Sequence, residues 1–150
     1  ALPMRAPRLK TWAFAFLLSH SAIRAEDIVT LPGAKPLTIE GDITTLTDIG
    51  TFDVWHDRAV FHFLASPEDR EQYVALVKKA VPVKGFVIIG TFGKGGPDKC
   101  SGLEICQYDA PSLQSALGHS FQMIRQAEYT HTTPLGKPQK FFFGILQHIE

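Results

Sequence analysis

His56, Asp57 and Arg58 stand in a row, three consecutive side chains able to take part in chemistry. An imidazole moves protons near neutral pH, a carboxylate orients or neutralises a cation, and a guanidinium presents a planar fork of donors to an anionic or polarised group. Asp42, followed by Ile43, is a second candidate, an acidic side chain just past a short β-prone stretch at 37–39. Each has a plainer reading. Asp42 can simply end a strand, Asp57 and Arg58 can form an ion pair that pins a loop, and His56 and His62 can pack rather than move a proton.

Other chemistries find little support. Cys100 and Cys106 do not make a Cys-x-x-Cys pair, and no His-x-x-x-His or His-Glu-x-x-His lies nearby. A structural zinc needs about four ligands at suitable spacing. We therefore expect no metal site and two reduced, partly buried thiols without a disulfide. Gly93, Gly95 and Gly96 resemble a phosphate loop only in glycine content, because no Gly-Lys-Ser/Thr ending follows.

The elements that must position these residues are readable from pattern. Residues 52–55 read as a strand opening onto His56, Asp57 and Arg58, and a helix is expected through Val60, Phe61, Phe63 and Leu64. Ser66, Pro67, Glu68 and Asp69 mark the start of another helix, with Tyr73, Val74, Leu76, Val77 and Ala80 on one side and Pro82 as its stop. The apolar run at 85–92 predicts the most buried strand, covered on both faces. Asp109, Pro111 and Ser112 precede a short helix at 113–117 that Gly118 ends. Residues 121–130 and 140–147 read as an antiparallel hairpin. This is an α/β layout with a mainly parallel sheet, in which ligands sit beyond the carboxy ends of the strands.

The 150 residues are 45% hydrophobic and 20% charged, with 15 basic and 15 acidic side chains, enough for one core. That balance gives no electrostatic case for nucleic acid. The amino-terminal segment, 1–36, stands apart from the body at 37–150. Arg5, Arg8 and Lys10 flank an apolar run at 12–18, and small residues surround Ala25, so 4–25 reads as an export signal. Two other readings compete with it and stand ahead of it: a docking helix, and a non-native lead-in. The apolar run is far shorter than the roughly 20 residues of a stable membrane span.

The stretch at 52–64, with Trp55, Asp57 and Arg58 at Trp-x-Asp-Arg spacing, resembles the fourth motif of class I S-adenosylmethionine-dependent methyltransferases, notably the thiopurine type and small bacterial methyltransferase-domain proteins. Glu40-Gly41-Asp42, Pro67 to Arg70 with Tyr73, Gly85 to Phe92, Lys99 to Leu103 and Tyr108-Asp109 agree in order and spacing. The likeness covers roughly 37–148. It implies a Rossmann-like methyltransferase sheet, mainly parallel with a carboxy-terminal antiparallel hairpin and incomplete at its amino end. It also implies S-adenosyl-L-methionine as cofactor, a cytoplasmic setting and a small-molecule or protein acceptor of unknown identity. By the same resemblance Asp42 lies by the adenine amine with Ile43 beside the ring. His56 and Asp57 line the methionine end, and Arg58, helped by Asp57, handles the acceptor.

The departures are as specific. Nothing before Glu40 supplies the acidic residue and Gly-x-Gly turn of the family's first strand, or the acidic residue of the second. Loss of both strands would leave an exposed edge beside the fourth, open to self-association. A second reading follows: a non-catalytic interaction protein derived from a methyltransferase half-domain.

Overall fold

The computed structural model describes residues 12–16, as backbone, and 42–150. Strand β1 (Trp12–Phe16) leads to β2 (Val54–Arg58), a single 3-10 turn (Phe61–Phe63), α1 (Pro67–Ala80) and β3 (Phe86–Phe92). A small hairpin, β4 (Lys99–Cys100) and β5 (Leu103–Glu104), precedes α2 (Ala110–Leu117) and the long hairpin β6 (Phe121–Thr132) and β7 (Pro138–His148). The main sheet runs β1-β2-β3-β7-β6. Its first three strands are parallel, and β7 is antiparallel to both β3 and β6. The α/β sheet expected from sequence is thus present, with its closing hairpin.

Helix α1 begins where its cap predicts. Ser66 Oγ accepts from Asp69 N at 3.1 Å, Pro67 occupies the first turn, Glu68 and Asp69 face the positive end of the helix dipole, and Lys78 and Lys79 the negative end. Tyr73, Leu76, Val77 and Ala80 are buried, a stripe at helical spacing. Helix α2 has Asp109 as N-cap in a capping box with Ser112, and Gly118, at φ 79°, as C-cap.

Strand β3 is the sheet's buried centre, as predicted, and β2 flanks it. Val87, Ile89 and Thr91 are inaccessible, whereas Phe86 and Ile88 are half-buried. The expectation of cover on both faces is corrected here: the described helices occupy one face. Trp55 of β2 meets Tyr73 of α1 on that face, and a Cβ on Gly144 of β7 would meet Leu113 of α2 at 2.9 Å. Phe141, Phe143 and Ile145 alternate onto the other face and remain half-buried.

Four further expectations change. His56, Asp57 and Arg58 do not open a loop; they continue the ladder, paired with Ile88, Ile89 and Gly90. The helix expected at 60–64 is one 3-10 turn, since Leu64 leaves helical space at ψ 77° and the Ser66 cap follows at once. At Trp12–Phe16 the docking-helix reading of the amino-terminal segment gives way to β1, whose aromatic and small residues alternate with period two. β1 pairs in parallel with β2, Trp12 opposite Val54 through Phe16 opposite Arg58, so the edge expected beside β2 is occupied. The short strand at 37–39, Glu40, Gly41 and the signal-like features around Ala25 lie outside the described residues.

Among the described residues, no helix is long and apolar enough to cross a membrane, and no cluster of three or more His, Cys, Asp or Glu is placed to hold a metal. Cys100 and Cys106 are free thiols, both half-buried.

Candidate functional site

The carboxy ends of β2 and β3 form the candidate site, and strand alternation divides its residues. Trp55 and Asp57 face α1; His56 and Arg58 face the opposite side. Asp57 is fully buried. Its carboxylate accepts from Val60 N at 3.0 Å, Phe61 N at 3.1 Å and the Tyr73 hydroxyl at 2.5 Å, and Tyr73 in turn accepts from Trp55 Nε1 at 2.9 Å. Burial pushes the Asp57 carboxyl up to about 6, against the pull of those three donors. The Tyr73 phenol is raised well above its ordinary value by burial first and then by the adjacent Asp57 charge.

These bonds fix the turn that follows. Ala59 takes a left-handed φ of 66° and donates from its backbone N to Gly90 O at 3.0 Å, which locks 59–63 onto β3. A structural role pinning a turn therefore belongs to Asp57, though not through Arg58: the two side chains leave opposite faces, one buried and one exposed.

On the other face His56 is half-buried and Arg58 exposed. Burial lowers the His56 imidazole, and the Arg58 guanidinium lowers it further, so the ring is neutral beside a fixed cation. Arg58 pairs across the ladder with Gly90, and Gly90 with Phe143. A Cβ on Gly90 would stand 2.6 Å from the Phe143 ring, so the missing side chain lets that ring lie over β3 in the column next to Arg58.

Asp42 and Ile43 occupy a separate turn, closed by Thr45 N and Leu46 N on the Asp42 carbonyl. The exposed Asp42 carboxylate accepts from Thr44 N at 2.9 Å and Thr44 Oγ1 at 2.7 Å, which hold it below the usual carboxylate range. Ile43 packs against the core.

Sequence reasoning passed over Gln107. Its side chain accepts from Gly95 N at 3.1 Å and donates to Gly96 O at 2.6 Å and Pro97 O at 2.9 Å. The glycine loop's polar groups are thus spent inside the protein rather than offered to a phosphate. No local pattern marks a glutamine for this task; its partners lie 10 to 12 residues upstream.

The fit to S-adenosylmethionine is partial. Asp42 keeps an exposed carboxylate able to accept from an amine, and the β2 end exposes Arg58. Asp57 is closed off by its three donors. The residues after β1 are Leu17, Leu18, Ser19 and His20, with no glycine.

No family model and no curated protein matches the chain. Solved structures do. It is similar to an S-adenosylmethionine-dependent methyltransferase from Clostridium acetobutylicum (11% identity, TM-score 0.58, 79% of this chain and 67% of that one). It is also similar to one from Methanosarcina mazei (13%, TM-score 0.55, 73% and 65%). A third is the N-methyltransferase NodS of Bradyrhizobium japonicum in complex with S-adenosylhomocysteine (11%, TM-score 0.53, 73% and 53%). The chain spans about half to two thirds of the length of these proteins. With its three parallel strands, antiparallel β7 and β6 beyond it, this chain has the fold of the class I S-adenosylmethionine-dependent methyltransferases.

Proposed function

We propose that this chain carries the acceptor side of an S-adenosylmethionine-dependent methyl-transfer site. The sheet order carries the reading, because it aligns the carboxy ends of β2 and β3 with the ligand-binding end of α/β sheets. The structural neighbours support the cofactor, one of them holding S-adenosylhomocysteine. Methyl transfer asks little covalent help of a protein, since sulfonium is already a good leaving group. The site has to align the acceptor and shield charge. Arg58 is the acceptor-handling residue, Asp42 and Ile43 border the adenine, and His56 borders the methionine end. Asp57 is a positioning residue that acts through the 59–63 turn. A cytoplasmic setting follows from this cofactor.

One observation favours the second reading, a non-catalytic interaction protein: the residues directly after β1, Leu17 to His20, include no glycine. We expect S-adenosylhomocysteine to bind more weakly than submillimolar, yet to shift the backbone amide signals of Asp42 and Arg58 in a nuclear magnetic resonance titration. Saturating ligand that leaves both signals in place would sink the methyltransferase reading and leave the interaction protein.

A further inference from the structure

Three buried side-chain polar atoms among the described residues have no hydrogen-bond partner: both ring nitrogens of His62 and the Thr91 hydroxyl. Buried polar groups are almost always satisfied, because an unpaired one costs its full desolvation penalty. His62 is inaccessible to solvent and firmly placed. Asp57 holds the amides of Val60 and Phe61 just before it, and the His62 carbonyl accepts from Cys106 N at 2.7 Å. Its ring has two aromatic neighbours, Phe92 stacked at 4.8 Å and Phe63 tilted at 4.5 Å.

The neighbours set the chemistry. Burial lowers the imidazole to about 4, so the ring is neutral and carries one N–H donor and one lone pair. Phe92 ends β3, which places His62 at the carboxy end of the sheet, where this architecture binds ligands. Of the two ring neighbours Phe92 is buried and Phe63 half-buried, so Phe63 is the one nearer solvent. Aromatic walls and a neutral ring offer no counter-charge to an ion.

We propose that His62 is the ligand-contacting residue of a pocket that opens when Phe63 turns aside and takes the planar, uncharged part of an acceptor, bearing a hydroxyl or amide, while any charged part is left to Arg58. Only the ligand's role as methyl acceptor rests on the methyl-transfer reading. Packing alone gives no reason for a histidine here, since phenylalanine or leucine would fill the space without orphaned nitrogens.

Phenol serves as the neutral planar probe and benzoate as its charged counterpart, with the imidazole nitrogens of the full chain followed by nitrogen-15 resonance. Phenol is expected to move a His62 ring-nitrogen signal and benzoate to leave it in place. His62→Phe should raise the Tm by about 2–4 °C, the size expected when one buried orphan is removed from a chain of this length. It should also weaken phenol by about tenfold, the loss of one hydrogen bond. Phe63→Ala should make His62 reactive to diethyl pyrocarbonate, to which the wild type is inert; an imidazole still inert in that variant would overturn the proposal as well. A His62 signal indifferent to phenol, or a His62→Phe protein with a lowered Tm, would mean that a buried water completes the ring and would overturn the proposal. No methyl donor is present, so these outcomes stand apart from those of the S-adenosylhomocysteine titration.

Discussion

The two faces of β2 are built on opposite terms. Toward α1, Trp55 and Asp57 belong to a closed chain of hydrogen bonds, Trp55 to Tyr73 to Asp57, with two backbone amides completing the carboxylate. Toward the other side, His56 is half-buried and Arg58 exposed, beside a glycine overlain by a phenylalanine ring. Neighbours in sequence thus have different physics. A charge buried among fixed donors serves the fold, whereas a charge left in water is available to a ligand.

The largest effect that would break this contrast comes from Asp57→Ala. It strands two amides and a phenol, each costing about 1–3 kcal/mol when left buried and unpaired. Because the three share one site the sum is not additive, and we expect a loss on the order of 3–5 kcal/mol by urea denaturation. His56→Ala, one residue earlier and on the other face, should cost far less. Equal losses would mean that the faces do not differ.

A pH series sharpens the same point. The folded Asp57 pKa of about 6 lies above its ordinary 3.8, so between those values the folded state holds the proton more tightly than the unfolded one. Stability contributed by that proton is fully present below about pH 4 and is lost as pH rises through about 6, by at most on the order of 3 kcal/mol. The stability difference between wild type and Asp57→Asn should therefore change across that window and be flat above it. A flat difference throughout would show the three donors cancelling the burial.

Gly90→Ala probes the open face. Its new Cβ meets the Phe143 ring at 2.6 Å, and overpacking of this kind costs about 1–3 kcal/mol in a rigid core. Phe143 is half-buried and able to swing, so we expect the low end, about 1 kcal/mol. A cost matching that of Asp57→Ala would mean that this face is as tightly closed as the other.

What was legible in the sequence follows the same division. The Ser66 cap, the buried stripe of α1 and the apolar run of β3 are local signals, and the structure places them as read; α2 instead begins at Ala110, ahead of the expected 113, with Asp109 as its cap. The parity of β2 is not local. It depends on the register that pairs Asp57 with Ile89, and on a tyrosine 16 residues downstream whose hydroxyl reaches the carboxylate. Read alone, His56, Asp57 and Arg58 look like one polar group at a strand end; only the ladder sends the middle one inward. β1 was missed for a related reason. Its apolar content suits a docked helix, while its alternation suits a strand, and the pairing partner that decides between them, Val54 to Arg58, lies some forty residues away.

Arg58 carries the smallest expected change in stability and the sharpest test of the exposed side. The residue is exposed and ends β2, so no buried partner loses its bond when the side chain changes. Surface substitutions of this kind shift stability by about 0.5 kcal/mol or less. The guanidinium stays charged at any working pH and can hold an anionic or polarised acceptor through two parallel donors, which a lysine ammonium cannot reproduce. Arg58→Lys should therefore leave the melting temperature nearly unchanged and weaken handling of acceptors that need the fork, while Arg58→Ala weakens all charged acceptors alike. The rival account, in which Arg58 pins its loop, predicts a lowered melting temperature with acceptor preference untouched. Its proposed partner Asp57 points away through the sheet, toward Tyr73, so the structure leaves that account without its ion pair. Thermal melts of both variants, set beside acceptor kinetics for any activity found, separate the two: lost stability with unaltered kinetics would return Arg58 to the fold and leave β2 with no functional face.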